Sequence, residues 1–516
     1  MRLIDFLDRA ATLHPDNEFL RQDATVRTYR EARAATHRIA AALQRDGLAP
    51  DEPVGFYMPN DWRGVEALYG VFRAGNPIAP VNARNTAAAN AAFLRDAGAR
   101  ALIFHSAFAD EAAAAAAECP GLRLLVCLDG ECDGHPALAD WMAPEGTHAA
   151  EVAVGPEDAW GLFGTSGTTG KSKCVVQTQL TALALTWDML FAMRVHEPVR
   201  HLVVGPVSHF AGSFLFALSA VGSTHTIHAA VDAGAILETI ERERIQVLFL
   251  PPTAIYALLD HPDVHERDLG SLEILAYAGA PMARARLEQA IAVFGPVMMN
   301  MYGQTEANGP IAFLRPEEHR PDGDETWRWR LGAIGRASIT RQLAIMDDDG
   351  NLLGPGEPGE LVMRSWANTP GYLDNPEANA ELKRHGWLHT GDVGIRDADG
   401  YIVLVDRKKD MIVSGGFNVF SAEVEQVLET HPAVTGAAVV GVPDDKWGEA
   451  VKAIVELRAG ADATADELIA LCKEALGSVK APKSVDFMDA LPRNPNGKVR
   501  KKELREAYWS GHDRRI

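Results

Sequence analysis

Short apolar runs recur along the chain, separated by longer stretches whose apolar residues repeat at helical spacing. Val54-Gly55-Phe56-Tyr57-Met58, Ala101-Leu102-Ile103-Phe104 and Leu124-Leu125-Val126-Cys127-Leu128 predict strands. Val247-Leu248-Phe249-Leu250 predicts a buried strand running through Pro251-Pro252-Thr253 into a helix, and Leu272–Tyr277 predicts another strand. Between them lies Ala109–Glu118, mostly alanine, which predicts a helix on propensity, stopped at Cys119-Pro120. Met1–Arg9 reads as an amphipathic first helix, because its acids interrupt what would have to be the apolar core of a signal peptide. Alternating strand and helix patterns are the signature of an α/β layered fold, in which loops leaving the carboxyl ends of strands gather ligands. No tandem repeat suggests a solenoid.

Composition adds limits to that picture. A chain of 516 residues exceeds the size at which one core stops growing, so more than one domain is expected, and 47% hydrophobic content is enough to fill the cores. A formal charge of −20 argues against a general nucleic-acid or anionic-membrane binder, so any phosphate must be met locally. The five cysteines, Cys119, Cys127, Cys132, Cys174 and Cys472, form no C-x-x-C pair and are odd in number. Neither a zinc site nor a disulfide framework is indicated, and a reducing, cytoplasmic setting fits. No run of about 18 apolar residues predicts a membrane span.

The strongest chemical signal is Gly164-Thr165-Ser166-Gly167-Thr168-Thr169-Gly170-Lys171-Ser172-Lys173. Glycines let successive N–H groups converge on an anion, hydroxyls add donors, and a lysine supplies the charge, so the loop is built for phosphates. A flexible surface turn is the bland alternative. The Walker pattern fails by one position, because Thr165 stands where its first glycine belongs. The run resembles instead the T-S-G-T-T-G-x-P-K-G phosphate loop of the adenylate-forming superfamily, which includes acyl-CoA synthetases, luciferases and peptide-synthetase adenylation domains. Ser172 replaces the usual proline and Cys174 the usual glycine.

Four further motifs carry the same resemblance in the same order. Tyr277-Ala278-Gly279-Ala280-Pro281 precedes Tyr302-Gly303-Gln304-Thr305-Glu306, similar to [YFW]-G-x-T-E. Within one turn it supplies an aromatic face for a purine, a hydroxyl for a phosphate oxygen and a carboxylate for a hard cation. Alone it could be a helix start, with Thr305 as N-cap. Trp387-Leu388-His389-Thr390-Gly391-Asp392 resembles W-x-x-T-G-D, which implies Asp392 on the ribose hydroxyls; alone, it would be an aspartate in a solvated turn. Asp406–Val419 resembles the segment joining a large domain to a small mobile one. That likeness implies Arg407 near ribose and phosphate, Lys409 as pivot, and Ser414, Gly415 and Gly416 along the acceptor channel, with Lys408 on a solvated face. Leu491–Lys501 resembles P-[RK]-T-x-x-G-K, with Asn494 for the usual threonine, and implies Lys498 as the catalytic cation. By default such an end would be a frayed basic tail.

The resemblance implies a large N-terminal domain of layered sheets and helices over residues 1–408, and a small mobile α+β domain over 409–516. It implies that Thr165, Ser166, Gly167, Thr168, Thr169, Gly170, Lys173, Gly279, Ala280, Pro281, Tyr302, Gly303, Gln304 and Thr305 hold ATP, with Mg²⁺ on Glu306. His209, in Pro206-Val207-Ser208-His209-Phe210-Ala211-Gly212, resembles P-x-x-H-x-x-G and is expected beside the carboxylate and acceptor; a lone histidine is more often structural. Looser analogy gives an acyl pocket of Phe210, Ala211, Ala278, Met301, Gly303 and Asn308, mixed in size and mostly apolar, for a hydrophobic, aromatic or alicyclic acid. The activity implied is an AMP-forming acid:CoA ligase using ATP, Mg²⁺ and CoA, and a homodimer is the oligomer common in the family. Two alternatives stay open: an amide synthetase passing the acyl-adenylate to an amine, and a non-catalytic nucleotide sensor.

Overall fold

The computed structural model describes residues 1–165, 173–415, 417–444, 446–493 and 499–509. They form two compact units, the first of residues 1–343 and 363–388, the second of 344–362 and 389–516. The division differs from a cut at 408/409: chain segments 344–362 and 389–408 group with the C-terminal residues.

In the first unit the predicted strand and helix alternation becomes two large sheets. One runs, in spatial order, Arg336–Ala337, Gly309–Leu314, Met298–Gln304, Ile274–Tyr277, Val247–Leu250, Arg200–Val203, Thr224–Ile227, Glu18–Gln22 and Thr25–Thr28. The other runs Gly371–Tyr372, Lys173–Thr178, Ala159–Thr165, Ile78–Pro80, Val54–Tyr57, Ala101–Phe104 and Leu124–Cys127. The middle strands are parallel, as crossover helices require, and antiparallel pairs stand towards the edges. Predicted strands are trimmed where pairing stops: the register of Val54–Tyr57 ends at Tyr57 opposite Phe104, and Met58 lies beyond it.

Helices follow their local signals. Leu3–Leu13 buries Leu3, Ile4, Phe6, Leu7, Ala10 and Ala11, the stripe expected of an amphipathic helix. Tyr29–Arg45 begins at Thr28, whose hydroxyl accepts from the Glu31 N–H while Glu31 accepts from the Thr28 N–H, a capping box. Trp62–Ala74 ends at Gly75 in the left-handed region. The alanine run forms a helix over Ala109–Glu118 and buries Ala112 and Ala115, a structural role.

The second unit contains a sheet ordered Phe417–Val419, Ile412–Ser414, Gly448–Leu457 and Val434–Asp444, with Ser484–Met488 also paired to Gly448–Leu457. Its core gathers Ile412, Val424, Leu428, Val439, Val451 and Leu468, among others. All five cysteines are unpaired. Among the described residues no helix is long and apolar enough to cross a membrane.

Candidate active site

Four adjacent parallel strands of the first unit, Arg200–Val203, Val247–Leu250, Ile274–Tyr277 and Met298–Gln304, point their carboxyl ends to one edge. Parallel register therefore delivers three sequence-predicted segments to that edge: Ser208-His209-Phe210, Gly279-Ala280-Pro281 and Tyr302–Glu306. Gly279 has φ +87, exposed and with open space around it. Thr305–Ala307 forms a single 3₁₀ turn, and Asn308 follows in the left-handed conformation at φ 57. A buried polar chain secures this turn: Asn308 Nδ2 donates to the Thr181 carbonyl, Thr181 Oγ1 to Gln177 Oε1 at 3.1 Å, and Gln177 Nε2 to the Thr305 carbonyl. Gln177 lies on Lys173–Thr178, so the strand leaving the glycine-rich loop is tied directly to the Thr305–Glu306 turn.

Lys173 opens that strand, opposite Thr165. Its ammonium lies 4.8 Å from the centroid of the Tyr372 ring, and the Tyr372 hydroxyl donates to Glu306 Oε1 at 2.8 Å. Among the described residues no ion pair engages Lys173 or Glu306, so a cation and a carboxylate flank one phenol without neutralising each other. Cys174, where the resembling loops have glycine, is buried in an apolar cluster that includes Leu162, Leu102 and Tyr57, and burial pushes its thiol up to about 12.

Ser208 Oγ lies 2.9 Å from His209 Nδ1. His209 keeps a partly exposed edge although protein atoms surround most of the ring, and that desolvation lowers the imidazole to about 4. It is neutral at physiological pH. Phe210 meets Phe249 edge-on at 4.9 Å. Ala278 and Met301 are buried with Phe214 and Phe313, and Ala211 is also buried. A Cβ on Gly303 would stand 1.8 Å from the Gly309 carbonyl oxygen, so close strand approach already requires glycine there.

In the second unit, Asp392 is buried and its Oδ1 lies 3.2 Å from Arg407 Nε, one strand over at the paired register position. Glu360 organises the turn before it: Oε1 accepts from the Gly391 N–H at 3.1 Å, and Oε2 lies 3.1 Å from His389 Nδ1 and 3.0 Å from Lys408 Nζ. Burial works against ionisation of Glu360, but hydrogen bonds from His389 and Lys408 hold its carboxyl below the usual value. Lys408 also pairs with Asp348 at 2.6 Å, so the expectation of a merely solvated lysine is corrected: it is a clamp. Lys408, Lys409 and Asp410 make a turn between strands Ile402–Arg407 and Ile412–Ser414, and Arg505 donates to the Lys409 carbonyl at 2.8 Å. Ser414 is buried; Gly415, at φ +59, lies where a Cβ would strike the Trp447 ring at 2.5 Å.

Ser166, Gly167, Thr168, Thr169, Gly170, Gly416, Asn494 and Lys498 lie outside the described residues. Sequence reading missed Tyr372, Glu360 and Trp447. Only position in the fold marks them, since each stands in a stretch with no chemical pattern of its own.

A family model described as AMP-binding enzyme matches residues 7–373, and one described as AMP-binding enzyme C-terminal domain matches residues 423–498. A medium/long-chain-fatty-acid–CoA ligase of Mycobacterium tuberculosis is 40% identical over 70% of this chain and 63% of its own length, so the match spans less than two thirds of that relative. A feruloyl-CoA synthase of an Amycolatopsis species is 35% identical over 97% of this chain and 98% of its own. Among solved structures, an amide bond synthetase of Marinactinospora thermotolerans is similar with TM-score 0.89 and 31% identity, covering 98% of this chain and 99% of that one. The motifs, the strand edge that gathers them and both matched domains together make this chain a member of the AMP-binding enzyme family.

Proposed function

We propose that this enzyme uses ATP to activate a carboxylic acid as an acyl-adenylate, releasing pyrophosphate, and then passes the acyl group to CoA. The observation that carries this reading is the arrangement of Lys173 and Glu306 about Tyr372, two unlike charges left without ion partners among the described residues, with Lys173 at the end of the glycine-rich run in sequence. A carboxylate attacks a polyanion poorly, so the work is positioning and charge neutralisation. Thr165–Gly170 and Lys173 hold the β and γ phosphates, Thr305 donates to a phosphate oxygen, Tyr302 stacks on the purine, and Gly279–Pro281 and Gln304 complete the nucleotide site. Asp392 and Arg407 hold the ribose. Lys498 bridges the attacking carboxylate and the α-phosphate.

Glu306 fits Mg²⁺, because one carboxylate oxygen is spoken for only by a neutral phenol and this cation commonly takes one or two protein carboxylates with substrate phosphates. When bound, it supplies neutralisation of the phosphate charge. For transfer, the region after Lys409 rotates, withdrawing Lys498 and bringing the Ser414–Gly416 edge to the acceptor; a turn at Lys408–Asp410 supports a pivot there. His209, neutral, offers its remaining ring nitrogen to the acceptor. Phe210, Ala211, Ala278, Met301, Gly303 and Asn308 shape the acid site, and their apolar surroundings favour a hydrophobic, aromatic or alicyclic acid. Five unpaired thiols support a cytoplasmic setting.

A second reading, transfer to an amine, is favoured by the likeness to the amide bond synthetase. One assay separates them: pyrophosphate release with ATP, Mg²⁺ and a panel of acids, run without acceptor, with CoA and with simple amines, the products read by mass spectrometry. Acyl-CoA is the expected product. Amide without thioester would favour the second reading, and no acid-dependent release would leave a nucleotide-binding protein. Lys498→Ala should abolish acid-dependent release while leaving ATP binding largely intact; unchanged release removes Lys498 from the mechanism.

A further inference from the structure

Tyr372 belongs to none of the motifs, yet it touches two of the groups that the proposed function depends on. Its position is set by main-chain pairing, not by flexible packing. Gly371–Tyr372 lies antiparallel to Lys173–Thr178, with Tyr372 opposite Val175, and the Leu373 N–H donates to the Cys174 carbonyl at 2.7 Å. Asn379 grips the same residue from the other side: its Oδ1 accepts from the Tyr372 N–H at 2.7 Å, and its Nδ2 donates to the Tyr372 carbonyl at 2.8 Å. Both main-chain polar groups of Tyr372 are thus held by one amide, and the ring is aimed from a fixed base.

What it is aimed at is unusual. The hydroxyl donates to one oxygen of Glu306, and the ring face receives the Lys173 ammonium. Left alone, a lysine and a glutamate at such a site gain most by pairing with each other. The phenol satisfies each with a neutral contact instead, a hydrogen bond for the anion and a π face for the cation. A phenol keeps its proton at neutral pH, so its O–H is a donor towards the carboxylate.

We infer that Tyr372 is a positioning residue of the nucleotide site, holding Glu306 oriented for the divalent cation and Lys173 for phosphate while keeping the two from forming an ion pair. The inference rests on the proposed roles of Glu306 and Lys173. Its two contacts are separable by substitution. Tyr372→Phe deletes the hydrogen bond and keeps the ring; Tyr372→Leu deletes both.

The test is binding without turnover: full-length protein and ATP with no acid present, titrated with Mn²⁺ and followed by electron paramagnetic resonance, with metal-free ATP affinity measured by calorimetry. Tyr372→Phe should raise the Mn²⁺ half-saturation about tenfold, the size of a lost hydrogen bond to a charged group, and leave metal-free ATP binding unchanged. Tyr372→Leu should weaken both. Glu306→Gln serves as control, with melting temperatures confirming that each variant is folded. A normal Mn²⁺ titration in Tyr372→Phe, with Glu306→Gln impaired, would overturn the role of Tyr372 alone. A normal titration in Glu306→Gln would overturn the reading of Glu306 and this inference with it.

Discussion

Glu360 is a buried carboxylate that answers to a main-chain N–H, an imidazole and an ammonium at once. Such a group does more than balance charge, because the N–H it accepts from belongs to Gly391, the residue before Asp392. Thr390 reinforces the same turn, its hydroxyl accepting from the Asp392 N–H at 3.1 Å and donating to the Leu361 carbonyl at 2.6 Å. Glu360 and Thr390 therefore fix the turn that carries the aspartate, and Arg407 meets its carboxylate. Glu360→Gln keeps the shape and removes the charge, leaving Lys408 and His389 without their shared anion. Chemical denaturation should show a loss of about 2 kcal/mol, and the KM for ATP should rise more than kcat falls, since the change acts through the turn that carries Asp392, the residue proposed to hold the ribose. An unaltered KM would mean that Asp392 is held without Glu360. At the same scale Cys174 shows why a departure from the usual glycine is tolerated: its side chain is buried in an apolar cluster.

The hairpin of Met298–Gln304 and Gly309–Leu314 carries Met301, Tyr302, Gly303 and Gln304, and its geometry is unforgiving. Register shifts between Tyr302 and Gly303, and at that shift the two backbones come so close that a Cβ at Gly303 would overlap the Gly309 carbonyl. Glycine at position 303 is thus dictated by the element as well as by any ligand. Gly303→Ala must push the strands apart or twist the turn at Thr305–Ala307, with a destabilisation of roughly 1–3 kcal/mol or more. Because Thr305 and Glu306 ride on that turn, adenylation should fall further than thermal stability alone accounts for, which melting curves and pyrophosphate release measured together would reveal. Equal stability with normal release would show that the strands yield at no cost. The helices, by contrast, are local matters: Thr28 and Glu31 close one with a reciprocal cap that their three-residue spacing already announces.

Across the whole molecule, buried imidazoles tie stability to pH. His201 and His225 face each other with their Nδ1 atoms 2.9 Å apart, Ser219 Oγ lies 3.2 Å from His225 Nε2, and burial lowers His201 from 6.5 to about 3. His225 shifts in the same direction, through burial and then through its neighbour. A folded-state value below the unfolded one means that the unfolded chain takes up the proton first, so stability is present above 6.5 and is lost as pH falls towards 3. His201→Gln should flatten the fall of unfolding free energy between pH 6.5 and 4 by up to one proton, ~1.4 kcal/mol per pH unit; an unchanged slope would assign the acid sensitivity elsewhere. Much of this protein is legible without coordinates. Hydrophobic period and propensity are local, so the strands at Val54, Ala101, Leu124, Val247 and Ile274 and the alanine helix over Ala109–Glu118 stand close to where the pattern places them. The motif residues are legible too, because their chemistry is written in contiguous types. Which strands pair is not local, and it alone decided that Tyr372, 66 residues after Glu306, would stand between that carboxylate and Lys173. The same holds for Glu360, 31 residues before Gly391. Spacing along a chain encodes the period of an element, whereas partners across a sheet are set by packing the whole, and that is where this site was completed.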